Sequence, residues 1–329
     1  MTVSDLMRAL LQDSYGEARD VLAFDDIPVP EPGEGEVRVR VHAAALNAAD
    51  VYIMRGRPTI GRLAFGLPRP RQPIRGQDLA GVVDAVGPGV TRLSVGDRVA
   101  AEGDGALAEY ACLKEALPVR VAASLPLAEA AAVPLAGVTA LQAVRVGGVR
   151  SGHRVLVNGA AGGVGSFAVQ LAAANGAEVT GVCGARNAET VLSLGAARVI
   201  DYAAEDFVGT GPYDVVVDLA GNRTLRELRT ALAPDGTLVL SSGNGTPMMG
   251  PLWRNAAASL TSPLTGRRLR PLLARTSRDE VGYLFSRIAR GDLRPLIGRT
   301  YPFEEAVEAL AHVSEGHARG KVVVTLREE

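Results

Sequence analysis

The chain has 329 residues, enough for two domains and for a core that needs neither a disulfide nor a metal staple. Hydrophobic residues make up 47% and charged residues 22%, as in an ordinary globular protein, and the formal net charge is -1. That balance gives no electrostatic reason to expect nucleic acid or an anionic membrane as a partner.

Residues Met1 to Tyr15 carry charges throughout and show no apolar signal core followed by a cleavage site. No apolar stretch is both long and unbroken enough to span a membrane. The two cysteines, Cys112 and Cys183, cannot form a disulfide framework or a four-thiolate zinc site, so a reducing cytoplasm is the simplest setting.

The first third reads as β-rich. Glu36–His42 (EVRVRVH) alternates apolar and charged residues with period two, which predicts a half-buried strand. Ala80–Val86 predicts a second strand, closed by the turn Gly87-Pro88-Gly89, and Gly96-Asp97 turns into a third at Arg98–Ala101. Short strands separated by Gly and Pro fit a small barrel. The character changes near Leu125, and Ala128–Val144 is helical in composition.

From Arg154 strands and helices alternate. Strands are predicted at Arg154–Asn158, Glu178–Cys183, Arg198–Ile200, Asp214–Asp218 and Thr237–Ser241, with helices at Gly165–Asn175, Ala188–Leu194 and Arg223–Leu232 between them. Such alternation implies a parallel sheet with right-handed crossovers. The arginine-rich stretch Gly266–Arg275 reads as a solvated helix face. The remainder reads as a helix, a strand near Arg299, a helix Phe303–Glu315 and a strand Lys321–Leu326.

The strongest local signal is Val155–Gly165 (VLVNGAAGGVG), a buried strand that turns through small residues into an Ala-rich helix. Ala160, Gly162 and Gly165 occupy the three small-residue positions of a dinucleotide fingerprint, and Gly163 and Val164, between the last two, join them as cofactor-binding candidates. A pyrophosphate there would meet free N–H groups and the positive end of the helix dipole. Sites that prefer NAD place an acid at the end of the second strand to hold the ribose hydroxyls. Here Glu178–Cys183 runs into Gly184-Ala185-Arg186-Asn187, with no carboxylate. Arg186 supplies a forked donor that suits a 2′-phosphate, so NADPH is the expected cofactor.

Several segments, in order, resemble the medium-chain dehydrogenase/reductase superfamily in its zinc-free quinone oxidoreductase branch. They are PVPEPGEGEV (Pro28–Val37), ALNAAD (Ala45–Asp50), GQDLAGVVDAVG (Gly76–Gly87), GDRV (Gly96–Val99), AEY (Ala108–Tyr110), GVTA (Gly137–Ala140), the glycine loop, LGAARVIDY (Leu194–Tyr202) and GHARGKVVV (Gly316–Val324). The resemblance covers Met7 to Leu326 and makes residues 1–6 an extra leader. It implies an α/β protein: a GroES-like β-rich catalytic domain, residues 1–127 with 277–329, and an inserted Rossmann domain with a doubly wound parallel sheet, residues 128–276. It further implies an active site between the domains and a homodimer paired through the Rossmann sheet edge.

Zinc-dependent relatives carry a Cys near the segment matching Ala45–Asp50, a Gly-His-Glu motif and a four-Cys loop. This chain has no Cys or His in the first, Gly76-Gln77-Asp78 in the second, and no Cys across Ala100–Ala111. His42, His153, His312 and His317 lack ligand spacing, and Asp78 reads as a structural carboxylate. No metal is expected.

Neutral donors must then stabilise the oxyanion that grows on the acceptor. The resemblance offers Tyr52 as polariser or proton donor and Asn47 as orienter. It also suggests Thr139, Tyr202, Gly221, Gly243 and Lys321 around the cofactor. The expected substrate is a quinone or an enone. The alternatives are an enoyl or alkene reductase acting on an α,β-unsaturated carbonyl, and a non-catalytic cofactor-binding protein on the same fold.

Overall fold

The computed structural model describes residues 6–241, 251–262 and 266–328. Two compact units divide the chain: Met1–Leu135 with Thr276–Gly291 and Pro295–Glu329, and Ala136–Arg275 with Asp292–Arg294.

The first unit opens with an antiparallel pair, β1 (Leu6–Gln12) and β2 (Leu22–Pro28), joined through the short helix α1 (Ala18–Val21). Sequence reading misses this pair because β1 is covered on both faces. Ala9 packs with Met7 and Ala108, while its neighbour Leu10 enters the main core, so no period-two pattern survives. Strand β3 (Glu36–Leu46) runs past its expected end for the same reason. Val37, Val39 and Val41 alternate into one core cluster, and then Ala43 and Ala45 join a second while Ala44 and Leu46 stay with the first.

Next come α2 (Ala48–Arg55), α3 (Arg62–Phe65), β4 (Asp78–Val86), β5 (Arg98–Glu102), β6 (Tyr110–Lys114), β7 (Val119–Arg120), α4 (Leu127–Ala131) and α5 (Pro134–Val146). The expected boundary after residue 127 falls inside α4. Leu127, Ala130 and Ala131 pack with Ala43, Ala80 and Val323, which keeps α4 in the first unit and moves the division to Leu135.

The second unit holds β8 (Arg154–Asn158), α6 (Gly163–Ala174), β9 (Glu178–Cys183), α7 (Ala188–Ser193), β10 (Arg198–Asp201), β11 (Tyr213–Asp218), α8 (Leu225–Thr230), β12 (Leu232–Leu240), α9 (Pro251–Thr261) and β13 (Arg268–Pro271). Its six strands are all parallel, in the order β10-β9-β8-β11-β12-β13. The chain leaves β8 toward β9 on one side, whereas β11 lies on the other. The strand order therefore reverses between β8 and β11, which is where open α/β sheets bind ligands. The arginine-rich stretch expected as a helix face is instead the edge strand β13. Leu269 is buried between exposed Arg268 and Arg270, a period of two.

The chain then returns through α10 (Arg278–Ala289), β14 (Ile297–Pro302), α11 (Ala306–Ser314) and β15 (Lys321–Thr325). These complete a seven-stranded sheet, β14-β15-β3-β4-β5-β7, with β6 also paired to β3. β15 lies parallel to β14 and antiparallel to β3. The two sheets are those of the expected fold class. Among the described residues no helix is long and apolar enough to cross a membrane.

Candidate active site

In the second unit the loop after β8 turns tightly onto β9. The N–H groups of Gly159 and Ala160 both donate to Val182 O, at 3.1 and 3.0 Å, and Gly162 N–H donates to Gly159 O at 3.1 Å. Gly159 has φ 89, the left-handed region that favours glycine. Gly165 is obligatory for a different reason: an added Cβ would stand 2.1 Å from Gly159 O. Ala160 replaces the usual first glycine without a clash because its methyl faces Gly181; a Cβ on Gly181 would lie 3.0 Å from that methyl.

Helix α6 begins at Gly163, and the residue before it, Gly162, offers no side chain to cap it. The free amides of its first turn, which include those of Gly163, Val164 and Gly165, therefore suit an anion. A dinucleotide pyrophosphate fits this cradle.

At the end of β9, Gly184 leads into the turn Ala185–Asn187, on which Arg186 is exposed. Tyr202, 52% exposed, approaches the same place; its hydroxyl lies 3.3 Å from where a Gly184 Cβ would be. Asp201 ends the neighbouring strand opposite Cys183, and its carboxylate accepts the Ala203 N–H at 3.1 Å.

The switch point carries a network that sequence reasoning missed. Asn158 and Asp218 stand side by side at the ends of β8 and β11, and Asn158 Nδ2 donates to Asp218 Oδ1 at 2.7 Å. Gly221 N–H donates to the same oxygen at 3.2 Å, and Arg254 from α9 donates to Asp218 Oδ2 at 2.6 Å. Asp218 is fully buried. Gly221, at φ 64, therefore belongs to a loop pinned beneath the ligand crevice. The missing sequence signal is a polar residue ending each of two apolar strands. Thr139 is buried on α5, and Gly243 lies outside the described residues.

In the first unit the structure brings together Asn47, just after β3, Asp78 at the start of β4 and Lys321 at the start of β15. Lys321 Nζ donates to Asn47 Oδ1 and, at 3.3 Å, to Asp78 Oδ2. Asn47 Nδ2 donates to Asp78 Oδ2 at 2.9 Å and to Ala45 O at 3.3 Å, while Leu135 N–H reaches Asp78 Oδ1 at 3.1 Å. Lys321 is 2% exposed and Asp78 0%. Lys321, expected toward the cofactor, is thus drawn into an internal ion pair, because a buried ammonium needs a charged partner. Asn47, expected to orient a substrate carbonyl, has both amide protons committed within the protein. Burial pushes the Asp78 carboxyl up, and Lys321 opposes that rise.

Asn47 also caps α2: its N–H donates to Asp50 Oδ2 at 2.8 Å. Tyr52 lies further along the same helix, 41% exposed. Asp50 is buried, and that burial raises its pKa to about 7, with Asp78 adding repulsion. The folded chain therefore keeps this proton up to about pH 7, whereas an unfolded chain releases it near pH 4. Between those values the folded state binds more protons, so stability falls as pH rises, by up to about 4 kcal/mol in all. Asp50→Asn is expected to flatten this slope and to stabilise the protein at pH 8. Denaturant titrations across that window check it, and parallel profiles for parent and variant would exclude it.

Among the described residues no group of three or more His, Cys, Asp or Glu is placed to hold a metal. His153 accepts from Arg150 at 2.8 Å and His312 lies 3.7 Å from Glu315. Burial lifts the Cys112 thiol to about 11 and raises that of Cys183, so neither is a thiolate at neutral pH.

A GroES-like β-rich unit together with a parallel-sheet unit that carries a phosphate loop defines a nicotinamide-dependent oxidoreductase. Residues 33–123 match the alcohol dehydrogenase GroES-like domain family, and residues 194–324 match the zinc-binding dehydrogenase family. The chain is 36% identical over 336 residues to a chloroplast envelope quinone oxidoreductase homolog of Arabidopsis thaliana, covering 97% of this chain and 98% of that one. It superposes on the quinone oxidoreductase of Coxiella burnetii with a TM-score of 0.85 at 31% identity, over 98% of this chain and 100% of that one. A mycobacterial protein, Rv1454c, complexed with NADPH gives a TM-score of 0.80 at 30% identity, over 97% and 100%. The chain belongs to the medium-chain dehydrogenase/reductase superfamily, in its quinone oxidoreductase-like branch.

Proposed function

We propose that this oxidoreductase is metal-independent, uses NADPH, and reduces a quinone or a related conjugated carbonyl compound as a homodimer paired along an edge of its six-stranded sheet. The observation that carries the reading is the donor set of the first unit. Gln77 and Asp78 stand where zinc-dependent relatives carry His and Glu, and Asp78 is committed to Lys321, Asn47 and Leu135. Of the polar side chains on α2, Asp50 is buried and Arg55 pairs with Glu17, which leaves the exposed phenol of Tyr52. A phenol suits an acceptor whose developing charge is already delocalised, as in a quinone or an enone, better than a simple alcohol, whose alkoxide needs a Lewis acid or a strong base. The cofactor, when bound, supplies the hydride. The chain's own part is to hold its pyrophosphate on α6, fix the loop at Gly221 and present Tyr52.

NADPH preference is supported by Arg186 and Gly184 at the end of β9 and by the commitment of Asp201 to its own turn. Arg186→Glu is expected to weaken NADPH binding by about 1–3 kcal/mol, the range for a charged hydrogen bond. Fluorescence titration of both cofactors reads this directly, and equal affinity of the parent for NADH and NADPH would overturn the preference. The reaction itself is tested by a turnover panel of quinones, enones and simple alcohols with each cofactor, before and after chelation. Turnover confined to alcohols, or lost on chelation, refutes the proposal.

A further inference from the structure

A net charge of -1 conceals a segment of opposite character. Between Asp50 and Asp78 the sequence holds six arginines and no acidic residue. Three are engaged internally. Arg55 pairs with Glu17 at 2.7 Å, Arg62 lies 4.3 Å over the Tyr15 ring, and Arg75 is buried at 4% exposure. The other three, Arg57, Arg69 and Arg71, are exposed and carry no ion pair among the described residues.

The same segment displays aliphatic side chains to solvent: Ile60 is 41% exposed, Leu63 64% and Leu67 63%. Ile60 and Leu63 stand one helical turn apart where the turn Thr59–Gly61 runs into α3, and so share a side. Leu67 and Arg69 lie on the exposed tip of a closed turn. Arg71 N–H donates to Phe65 O at 2.7 Å, and the Tyr15 hydroxyl donates to Gly66 O at 2.5 Å. Gly66, at φ 121, must be glycine, because a Cβ would stand 2.1 Å from Arg69 O. The aliphatic groups are therefore held outward on a built scaffold.

We propose that Arg57–Pro73 is a membrane-docking face, which seats Ile60, Leu63 and Leu67 at the headgroup boundary of an anionic bilayer and sets Arg57, Arg69 and Arg71 against lipid phosphates. Aliphatic side chains that protrude singly suit a deformable medium, whereas a protein partner would need a matching pocket for each. A nucleic acid would use arginine but would leave the leucines in water, since bases stack on aromatic groups. Exposed aliphatic groups interspersed with arginines that carry no ion pair among the described residues are the composition of an interfacial anchor. The overall charge argues against an anionic partner only because it averages this face with the acidic remainder.

The test is co-sedimentation of the full chain with vesicles of phosphatidylcholine and phosphatidylglycerol, and with phosphatidylcholine alone. Binding is expected to the mixed vesicles only. Each of Arg57→Gln, Arg69→Gln and Arg71→Gln is expected to lower the partition about fivefold, the equivalent of one cation near the surface. The pair Leu63→Asp with Leu67→Asp is expected to abolish binding while the melting temperature and NADPH affinity stay unchanged. A parent that remains in the supernatant overturns the proposal and points to an acidic protein as the occupant. Variants that sediment like the parent overturn it as well. Neither arm depends on turnover.

Discussion

Lys321→Met is expected to destabilise the first unit by about 3–5 kcal/mol, the cost of stranding a buried charge. The substitution leaves Asp78 at 0% exposure with no cation, and it leaves Asn47 Oδ1 without its donor. Asp78 can escape by taking up a proton, since burial already pushes its pKa upward, so the loss should shrink at low pH. Adding Asp78→Asn to Lys321→Met removes both charges and keeps the shape, and most of the lost stability should return. Urea unfolding of the two single variants and the double variant measures the coupling between the sites. Simple addition of the two single losses would mean that the pair is an incidental contact.

Tyr52→Phe is expected to slow hydride transfer to an enone by about a hundredfold while leaving NADPH affinity unchanged, which is the effect of removing one oxyanion donor. That factor corresponds to about 2.7 kcal/mol of barrier. With a quinone the loss should be smaller, because the charge spreads over two oxygens and water can protonate both. Single-turnover absorbance measurements on the two substrate classes separate the outcomes. Equal rates for parent and variant on both would reduce Tyr52 to a residue that lines the site. Asn47 enters this experiment indirectly. Its amide is committed to Asp78 and Ala45, and its N–H is held by Asp50, so it sets the start of the helix that carries Tyr52. Asn47→Asp would turn its side-chain oxygens on the Asp78 carboxylate and should disturb the helix start rather than substrate contact alone.

The glycine loop is legible in the sequence because its requirements are local. Val155–Gly165 contains the strand, the turn and the helix start, and the clash that makes Gly165 obligatory is with Gly159, six residues away. Strands with one wet face are legible for the same reason. The misses share an opposite cause. β1 and the end of β3 are buried on both sides, which erases alternation. At β13, a single buried leucine among arginines does not separate strand from helix until a neighbouring strand supplies the register.

The site shows the same division. Tyr52 and Arg186 stand out in the sequence because each sits beside a local motif, and both are exposed, on α2 and on the turn after β9. The contacts of Lys321 with Asp78 and Asn47 are not legible, because those partners are 243 and 274 residues away and only the strand order brings them together. The Asn158–Asp218–Arg254 network is hidden likewise, since each member looks like an ordinary polar residue until β8 and β11 are known to be neighbours.

The place of β15 bears on how the chain folds as it is made. The second unit draws almost all its residues from one continuous stretch, Ala136–Arg275, so it can assemble while the ribosome is still synthesising the C-terminal elements. The first unit cannot. β6 covers Glu36–Arg40 of β3, but Ala43–Leu46 of that strand lack a second partner until β15 arrives to fill the gap between it and β14. The first residue of β15 is Lys321, so the strand that closes the sheet also delivers the cation for Asp78. Until then the nascent sheet holds both an unpaired strand end and a carboxylate without its counter-charge. Chaperone capture and aggregation during synthesis should concentrate on that interval, and a ribosome stalled before residue 321 should display it.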